Sequence, residues 1–276
     1  MKKSQLSYAI WPWGTSTKEQ AELAAKEITE IGYKSFESVK AAAYAYDLNV
    51  AEYKAMLDSY GLTADSFYFH LPAAGNEESL FETLEKELDF VAKLGVTKAT
   101  LQGTGGRPEV ADEASKEYGL NNMIRFAKIA KEFGIDTNVH PHVNTYFMFE
   151  DEIDYVMNNS DKDLIYFAPD TAHITAAGGD AVEIIRRYAD RVNFTHLKDY
   201  TLGDAITTDG WVDSDVPIMA CFHGIGDGAI NFAEILNILD GVNYTGPLCI
   251  ELDKAPISNA DSAKKSYDYL CKLIED

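Results

Sequence analysis

The chain has 276 residues, with 24 Lys and Arg against 45 Asp and Glu, which gives a formal net charge of −21. This acidity argues against binding of nucleic acid or of anionic membrane surfaces, because both need clustered Lys and Arg. The length suffices for one large domain with a sizeable core, and no apolar run reaches the roughly 18 residues of a membrane-spanning helix.

The cysteines and the N-terminus indicate the cellular compartment. Cys221, Cys249 and Cys271 are odd in number and form no CxxC pair, which favours a reduced, cytoplasmic setting. The N-terminal MKKSQLSYAIWPWG carries two lysines but has a short, aromatic apolar run without a small-residue cleavage pattern. We therefore interpret it as a first strand and not as a signal peptide.

Short apolar runs alternate with longer helical segments along the chain. The predicted strands are 6–10, 33–39, 62–69, 96–102, 135–140, 164–170, 191–197 and 247–252. The predicted helices are 15–32 (capped by Thr15 or Thr17 and ended by Gly32), 49–61, 77–95, 121–134, 150–159, 180–190, 231–241 and 262–275. The stretch of about 200–230, rich in Asp and Gly, is predicted to be an irregular active-site loop.

Eight successive strand–helix units predict the fold. Alternating β and α elements favour a parallel sheet, and eight units at this length predict a (β/α)8 TIM barrel as a single α/β domain over 1–276. The alternative, a doubly wound open sheet, usually carries GxGxxG after an early strand, and the sequence has none. The stretch 103–108 (GTGGRP) lacks the Lys and Ser/Thr of a P-loop, so it is predicted to be a βα loop.

Polar side chains collect where the predicted strands end, which in such a barrel is where chemistry takes place. Five of the six histidines lie at or just past a strand end, and the sixth, His223, lies in the irregular loop. The polar and aromatic residues at these ends are Trp11, Glu37, His70, Gln102, His140, His142, Asp170, His173, His196 and Glu251.

Four of these residues suit a metal ion. His140, Asp170, His196 and Glu251 come from strands five to eight, which are consecutive around the barrel wall. Two imidazoles and two carboxylates suit a borderline-to-hard divalent cation, Mn²⁺ first, with Co²⁺, Fe²⁺, Zn²⁺ or Mg²⁺ as alternatives. For any one residue taken alone, a salt bridge or a helix cap is an equally good explanation.

Three further residues are candidates for proton transfer or charge stabilisation. The histidines of 138–145 (NVHPHVNT), His140 and His142, lie one residue apart on a strand that Pro141 should end, so they should face the same side. His142 and His173 should lie at the rim of the cavity and could move protons. Lys198 could bind a substrate oxygen or stabilise an enolate, or could be a surface lysine paired with Asp199.

The remaining candidates would contact the substrate. Trp11 and Trp13, with Phe69, could form an apolar wall for the carbon face of a sugar, or could pack at the barrel end. Glu37, His70 and Gln102, with the loop 200–230, would decide which hydroxyl groups are held.

Motifs in the C-terminal half resemble those of xylose-isomerase-like TIM barrels, within them the sugar phosphate isomerase/epimerase superfamily and most closely its inosose dehydratase branch. The motifs are HPHVNT, PDTAHITAAGGD (169–180), DRVNFTHLKDY (190–200), HGIGDGAINFAEIL (223–236) and GPLCIELD (246–253). The N-terminal half agrees in layout but has few distinctive motifs. The resemblance is specific for the superfamily and much less so for the substrate.

The resemblance implies a divalent metal, usually Mn²⁺ or Co²⁺, held by Asp170, His196, Glu251 and the strand-five position of His140. Epimerases of this superfamily generally have glutamate at that position, paired with a second glutamate as the two bases. Histidine here disfavours two-glutamate epimerisation, and His142, His173 or Glu251 become the expected proton carriers. Inosose dehydratases commonly follow HPH with Gly-Thr, whereas this chain has Asn144, and its ELDKAP also differs from their C-terminal signature.

The expected function is that of a metal-dependent enzyme of carbohydrate metabolism, inositol catabolism in particular. It would act on a keto-sugar or keto-cyclitol through a metal-stabilised enediolate, as an inosose dehydratase-like lyase. The alternatives are an isomerase or epimerase with the same metal site, and a non-catalytic sugar-binding or partner subunit. Few basic residues near the strand ends, Lys198 and Arg107, disfavour a phosphate site. The partner is a small carbohydrate or cyclitol, and formation of a homo-oligomer is left open.

One nuclease family shares the barrel and is the last rival. Endonuclease IV-like enzymes need a cluster of several metal ions and a DNA-binding surface. A net charge of −21 weighs against such a surface.

Overall fold

The computed structural model describes residues 1–108, 111–201, 221–255 and 257–274. Its strands are β1 (Leu6–Ala9), β2 (Ser35–Val39), β3 (Thr63–His70), β4 (Lys98–Gln102), β5 (Asp136–His140), β6 (Ile165–Phe167), β7 (His196–Leu197), β8 (Asp199–Tyr200), β9 (Phe222–His223) and β10 (Leu248–Ile250). Its α-helices are α1 (Lys18–Ile31), α2 (Lys40–Ala45), α3 (Val50–Tyr60), α4 (Glu78–Lys93), α5 (Glu113–Glu132), α6 (Glu150–Asn159), α7 (Thr171–Ala176), α8 (Ala181–Arg187), α9 (Phe232–Gly241) and α10 (Asn259–Leu273).

Eight of the strands form one parallel sheet that curls into a barrel. Their order is β6-β5-β4-β3-β2-β1-β10-β7. Parallel backbone bridges join the two ends of the sheet, between Phe167 and Val192 and between Asp170 and His196. The predicted single-domain TIM barrel is confirmed, with β10 as its eighth barrel strand.

The helix α1 shows why the predicted elements form. The Thr17 side chain accepts a hydrogen bond from the Gln20 backbone, and the Gln20 side chain accepts one from the Thr17 backbone, which caps the first turn. The apolar face of this helix lies against the barrel through Ala24, Ala25 and Ile28. The helix ends at Gly32, whose positive φ of 126° favours glycine.

The helix α5 is longer than predicted. It begins at Glu113, after the cap Asp112, whereas the sequence predicted a helix over 121–134. Gly119 lies inside this helix, and its low helix propensity made the helical pattern before residue 121 weaker. A glycine is needed there because a Cβ would lie 2.9 Å from the Cβ of Tyr146.

The barrel strands six and seven are shorter than predicted. In the segment predicted as strand 164–170, the strand ends at Phe167, and Asp170 caps the short helix α7 by accepting a hydrogen bond from the His173 backbone. In the segment predicted as strand 191–197, only His196–Leu197 forms a strand, and Val192 makes an isolated bridge to Phe167. Most of the predicted loop 200–230 lies outside the described residues, and β8 pairs with β9 at its two ends.

The largest hydrophobic core lies between the barrel wall and its helices. It contains buried aromatic side chains such as Tyr53, Phe67 and Phe90, which pack edge to face. Within the described ranges, no helix combines the length and the apolar character needed to cross a membrane.

Candidate active site at the carboxyl end of the barrel

The four predicted metal-ligating residues converge at the carboxyl end of the barrel. Three of them, His140, Asp170 and His196, each offer one nitrogen or oxygen within 4.8 Å of the other two. The fourth, Glu251, places Oε2 3.7 Å from Nδ1 of His196. All four are buried, Glu251 being the most exposed at 3%. The barrel therefore collects two imidazoles and two carboxylates in one buried space.

Two ring nitrogens in this space lack a hydrogen-bond partner among the residues that the structure describes. These are Nδ1 of His140 and Nδ1 of His196. Buried polar atoms in proteins are nearly always paired. A divalent cation would satisfy both nitrogens, and nitrogen with carboxylate oxygen is a donor set that Zn²⁺, Co²⁺ and Mn²⁺ accept. The residues present therefore fit a divalent cation.

Glu37 lies behind His196 and not against the substrate space for which the sequence proposed it. It is fully buried on β2, and its Oε2 accepts a hydrogen bond from Nε2 of His196. Burial alone would lower the pKa of His196, but Glu37, Glu251 and Asp170 outweigh it and raise the pKa above its ordinary value. Glu37 thus fixes the imidazole and directs Nδ1 toward Glu251.

Lys198 is a buried partner of carboxylates and not a surface lysine paired with Asp199. Its Nζ lies 2.7 Å from Oε2 of Glu251, 2.8 Å from Oδ2 of Asp253 and 3.4 Å from Oδ2 of Asp170. Burial lowers the pKa of Lys198, but these carboxylates outweigh it and raise the pKa above its ordinary value. The ammonium group therefore stays charged.

The two carboxylates beside Lys198 differ in acidity. Burial raises the pKa of Glu251, but the positive charges of Lys198 and His196 outweigh it and bring the pKa to about 2. Burial raises the pKa of Asp170 well above its ordinary value, and the nearby Glu251 adds to the effect against the pull of Lys198. Glu251 is the carboxylate that holds its negative charge.

His142 and His173 are stacked, and the backbone of one residue, Val143, determines the tautomer of both. Their ring centroids are 3.8 Å apart. Nδ1 of His142 donates to the carbonyl oxygen of Val143 at 2.8 Å, so Nε2 carries the lone pair in the neutral ring. The Val143 N–H donates to Nδ1 of His173 at 3.4 Å, so Nε2 of that ring carries the proton. Burial lowers the pKa of both rings, which favours these neutral forms.

A cavity of about 350 Å³ opens onto these groups. Three of the predicted substrate-contacting residues line it: Trp11, His70 and Gln102. Trp11 Nε1 donates to Oε1 of Glu251 at 3.2 Å, which joins the cavity wall to the cluster. His142 and Glu251 also form part of the lining of this cavity.

Trp13 lies elsewhere, although the sequence proposed it beside Trp11. Its ring packs edge to face on Tyr8 with centroids 5.6 Å apart, and its Nε1 donates to Glu27 at 2.6 Å. The segment Trp11–Trp13 is a turn of 3₁₀-helix, so residues two apart point in different directions. Phe69 is likewise fully buried in the core, where it packs on Phe126.

The sequence analysis missed six cavity residues, of which two, Tyr68 and Asp253, also contact the cluster. The other four are Thr15, Val39, Lys40 and Ala41. The Tyr68 hydroxyl donates to Oε1 of Gln102 at 2.6 Å, and its ring stacks on His196 with centroids 5.9 Å apart. Each lies two residues from a residue that was selected, Tyr68 from His70 and Asp253 from Glu251. The two-residue period of extended chain could have indicated both.

Comparisons with known proteins place the chain in a family. The family model described as xylose isomerase-like TIM barrel matches residues 25–273. An inosose dehydratase of Clostridium perfringens is 33% identical over 140 residues, which cover 50% of this chain and 46% of that protein, so the match spans about half of this relative. An inosose dehydratase of Bacillus velezensis is 24% identical over 277 residues, covering 93% and 92%.

A solved structure agrees with the fold. The IOLI protein, solved with a binding zinc atom, superposes with a TM-score of 0.79 at 12% identity, over 98% of this chain and 97% of that chain. At this identity the likeness concerns the fold. With the family match over 25–273, it follows that the chain belongs to the xylose isomerase-like TIM barrel family.

Proposed function

We propose that this protein is a divalent-cation-dependent dehydratase of a keto-sugar or keto-cyclitol. The observation that carries the proposal is the convergence of His140, Asp170, His196 and Glu251 in one buried space beside a cavity of about 350 Å³. Two relatives that are 24% and 33% identical to this chain are named inosose dehydratase. Their name supports a keto-cyclitol or keto-sugar as the substrate class.

The four converging residues would hold the cation. Bound there, it would polarise a substrate carbonyl and stabilise the negative charge that develops on its oxygen. Mn²⁺ stays a prediction, because two imidazoles and two carboxylates also suit Zn²⁺ and Co²⁺. All four side chains are buried, and Asp170 also caps α7, which favours the fixed placement that a catalytic site requires.

His142 would carry the proton. Its Nε2 has the lone pair because Nδ1 donates to Val143, and the residue lines the cavity. It would take the proton from the carbon next to the carbonyl, whose electrons then form a double bond to the next carbon as the C–O bond there breaks. The same imidazolium would give its proton to the departing hydroxyl, so that water leaves and His142 is regenerated.

The contacts of Glu251 favour dehydration over epimerisation. Epimerisation needs a second acid–base group that can return a proton on the opposite face of the substrate. Both oxygens of Glu251 are held, Oε2 by Lys198 and Oε1 by Trp11, so this side chain fits the part of a ligand better than that of a proton carrier.

The groups around Lys198 disfavour an anionic substrate group at that point. Asp170, Glu251 and Asp253 lie close to Lys198, so this ammonium group already faces three carboxyl groups. A substrate phosphate or carboxylate would gain little beside Lys198, although Lys40 also lines the cavity. The indole of Trp11 and the Tyr68–Gln102 pair instead provide an apolar surface and hydroxyl-binding groups.

Metal-supplemented turnover in D₂O tests the proposal. The protein, dialysed against chelator, is reconstituted with Mn²⁺, Co²⁺, Zn²⁺ or Mg²⁺ and incubated with a 2-keto-inositol, keto-sugars and free ketoses. We expect turnover only with a cation, and a product that has lost one water, observed by NMR and mass spectrometry. Exchange of the proton next to the carbonyl without loss of water would instead indicate an isomerase or epimerase.

Two results would contradict the proposed enzyme function. Protein that retains below about 0.1 equivalent of metal after dialysis, and does not respond to added cation, would contradict the enzyme proposal. A chain that binds these sugars without turning them over would be a carbohydrate-binding protein.

His142→Ala tests the proton carrier separately from the cation. We expect metal content to be unchanged and turnover to fall by about 10²- to 10⁴-fold, as for loss of a general acid–base group. Lys264→Ala is the control, since Lys264 forms a surface ion pair with Asp268 on helix α10, and it should retain turnover within about twofold. Loss of metal from His142→Ala would make His142 a ligand.

A further inference from the structure

The buried pair of Glu37 and His196 has a feature that the proposed reaction does not use. Glu37 lies on β2, far along the chain from the other residues of the cluster, and is 0% exposed. One of its oxygens accepts from Nε2 of His196, and the other, Oε1, has no hydrogen-bond partner among the described residues. Burial of a carboxylate costs folding free energy unless the carboxylate is paired with another group and hydrogen-bonded.

The bond fixes how His196 presents its two nitrogens. Because Nε2 donates to Glu37, the lone pair of the neutral ring lies on Nδ1. That nitrogen faces the side where His140, Asp170 and Glu251 lie. A carboxylate that accepts from the far nitrogen of a ligating histidine orients the ring and makes its other nitrogen a stronger ligand.

We propose that Glu37 is a positioning residue for the cation site, which acts through His196 and sets the affinity of the site for the metal. The proposal rests on the proposed cation-dependent function. Glu37 would not touch the ion or the substrate, since His196 lies between it and the other ligands. Its negative charge strengthens Nδ1 as a ligand, and its fixed place in β2 sets the plane of the ring.

A second group of residues around His196 is an alternative site for the ion. Glu37, His196 and Cys249 also offer three ligand atoms within 4.8 Å of one another, and Glu37 is bonded to Nε2 of the ring. An ion there would have to displace the bond between Nε2 and Glu37. The side of Nδ1 offers more donors, His140, Asp170 and Glu251, and needs no bond to be broken, so we place the ion there.

The experiment measures binding of Co²⁺ to the full-length metal-free protein by calorimetry and by the visible spectrum of the bound ion. Glu37→Gln keeps the size of the side chain and can still accept the bond, but it loses the charge. We expect about 10-fold weaker binding for this variant and about 100-fold for Glu37→Ala, the range seen when such partners are removed. The Co²⁺ spectrum should change, because the orientation of His196 relaxes.

Ser38→Ala is the matched control. Ser38 is the next residue of β2, equally buried, and its hydroxyl bonds the Tyr53 hydroxyl at 2.8 Å on the opposite face of the strand. We expect its Co²⁺ affinity and spectrum to match those of the wild type. Thermal unfolding in chelator checks that each variant folds, and the rise in unfolding temperature on adding Co²⁺ should be smaller for Glu37→Gln than for Ser38→Ala.

The outcomes separate the two proposals. A wild-type protein that binds no divalent cation would remove the proposed function and this inference together. Binding that is lost in His140→Ala but unchanged in Glu37→Gln and Glu37→Ala would overturn the role of Glu37 and leave the proposed function standing. Binding that is lost in Cys249→Ser, with a thiolate-to-cobalt band in the wild type, would place the ion at Glu37, His196 and Cys249 and overturn the inference.

Discussion

The two ends of the barrel bury charge in different ways. At the carboxyl end, Lys198 and His196 lie among carboxylates at distances of 2.7 to 3.7 Å. At the amino end, a polar cavity of about 450 Å³ is lined by Asp65, Lys98 and Asn193. There Lys98 donates to the amide oxygen of Asn193 at 2.5 Å, and Oδ2 of Asp65 has no hydrogen-bond partner in the described ranges.

The difference shows up in the acidity of the carboxyl groups. Lys198 and His196 bring the pKa of Glu251 to about 2 against the effect of burial. At the other end, burial raises the pKa of Asp65 to about 6, and bonds from Ser35 and Ser7 only partly oppose it. The negative charge of Glu251 is therefore held beside Lys198 and His196, whereas burial disfavours the negative charge of Asp65. Substitutions at the two ends should have effects of opposite sign.

The largest effect is expected for Lys198→Met, which removes the ammonium group from among Glu251, Asp253 and Asp170. Removal of one partner leaves buried charges without compensation, which costs about 3–5 kcal/mol of unfolding free energy. Urea unfolding in chelator measures the loss, and added divalent cation should recover part of it.

The control for this change is a lysine in an ion pair on the surface. Lys264, 59% exposed, pairs with Asp268 within helix α10. Lys264→Ala should change the unfolding free energy by less than about 0.5 kcal/mol. If Lys198→Met changed the unfolding free energy by a similarly small amount, the carboxylates at the carboxyl end would not depend on this ammonium group. The proposed difference between the two ends of the barrel would then be wrong.

A smaller effect is expected for Gly228→Ala, which tests the frame around Lys198. The neighbouring Asp199 is buried and accepts backbone hydrogen bonds from Gly226 and Gly228, both at 2.9 Å. A Cβ on Gly228 would lie 2.3 Å from Oδ1 of Asp199. The clash should cost about 1–3 kcal/mol and lower turnover, because the chain that carries Lys198 must shift.

Gly241→Ala is the control for this substitution. Gly241 ends helix α9, and a Cβ there would meet nothing within 4 Å. We expect unchanged or slightly higher stability, since alanine favours a helix. Equal effects of the two glycine substitutions in thermal unfolding would contradict the role given to Asp199.

The sequence was sufficient to predict the barrel and the meeting of His140, Asp170, His196 and Glu251. The period of the apolar residues distinguishes strands from helices, and closure of the barrel brings distant strand ends together whatever the details of pairing. Ends of elements were harder to predict. Asp170 was taken for the last residue of a strand, but the aspartate begins α7 as its cap, which the apolar pattern does not show.

The direction of individual side chains could not be predicted. Glu37 was expected to hold substrate. The alternation of side chains along β2 shows that Glu37 faces the barrel interior, but it does not show which side chain Glu37 meets across the barrel. His196, which it meets, is distant in sequence, so only the closed barrel reveals the pair. Trp13 was misjudged for another reason, since the turn of Trp11–Trp13 does not follow the two-residue period of a strand.

An effect of opposite sign is expected for Asp65→Asn at the amino end. The pKa of Asp65 is about 6 in the folded protein, raised by burial from the ordinary value of 3.8. The folded state therefore holds this proton more tightly than the unfolded chain, and its stability falls as pH rises from about 4 to 6 and stays low above that. Asparagine cannot ionise, so the variant should match the wild type near pH 4 and exceed it by about 2 kcal/mol at pH 7. Urea unfolding at both pH values measures this difference, with Asp268→Asn, 51% exposed at the surface, as the control that should show none. A variant less stable than the wild type at pH 7 would show that the ionised Asp65 is stabilised at the amino end, and the contrast between the two ends would then be lost.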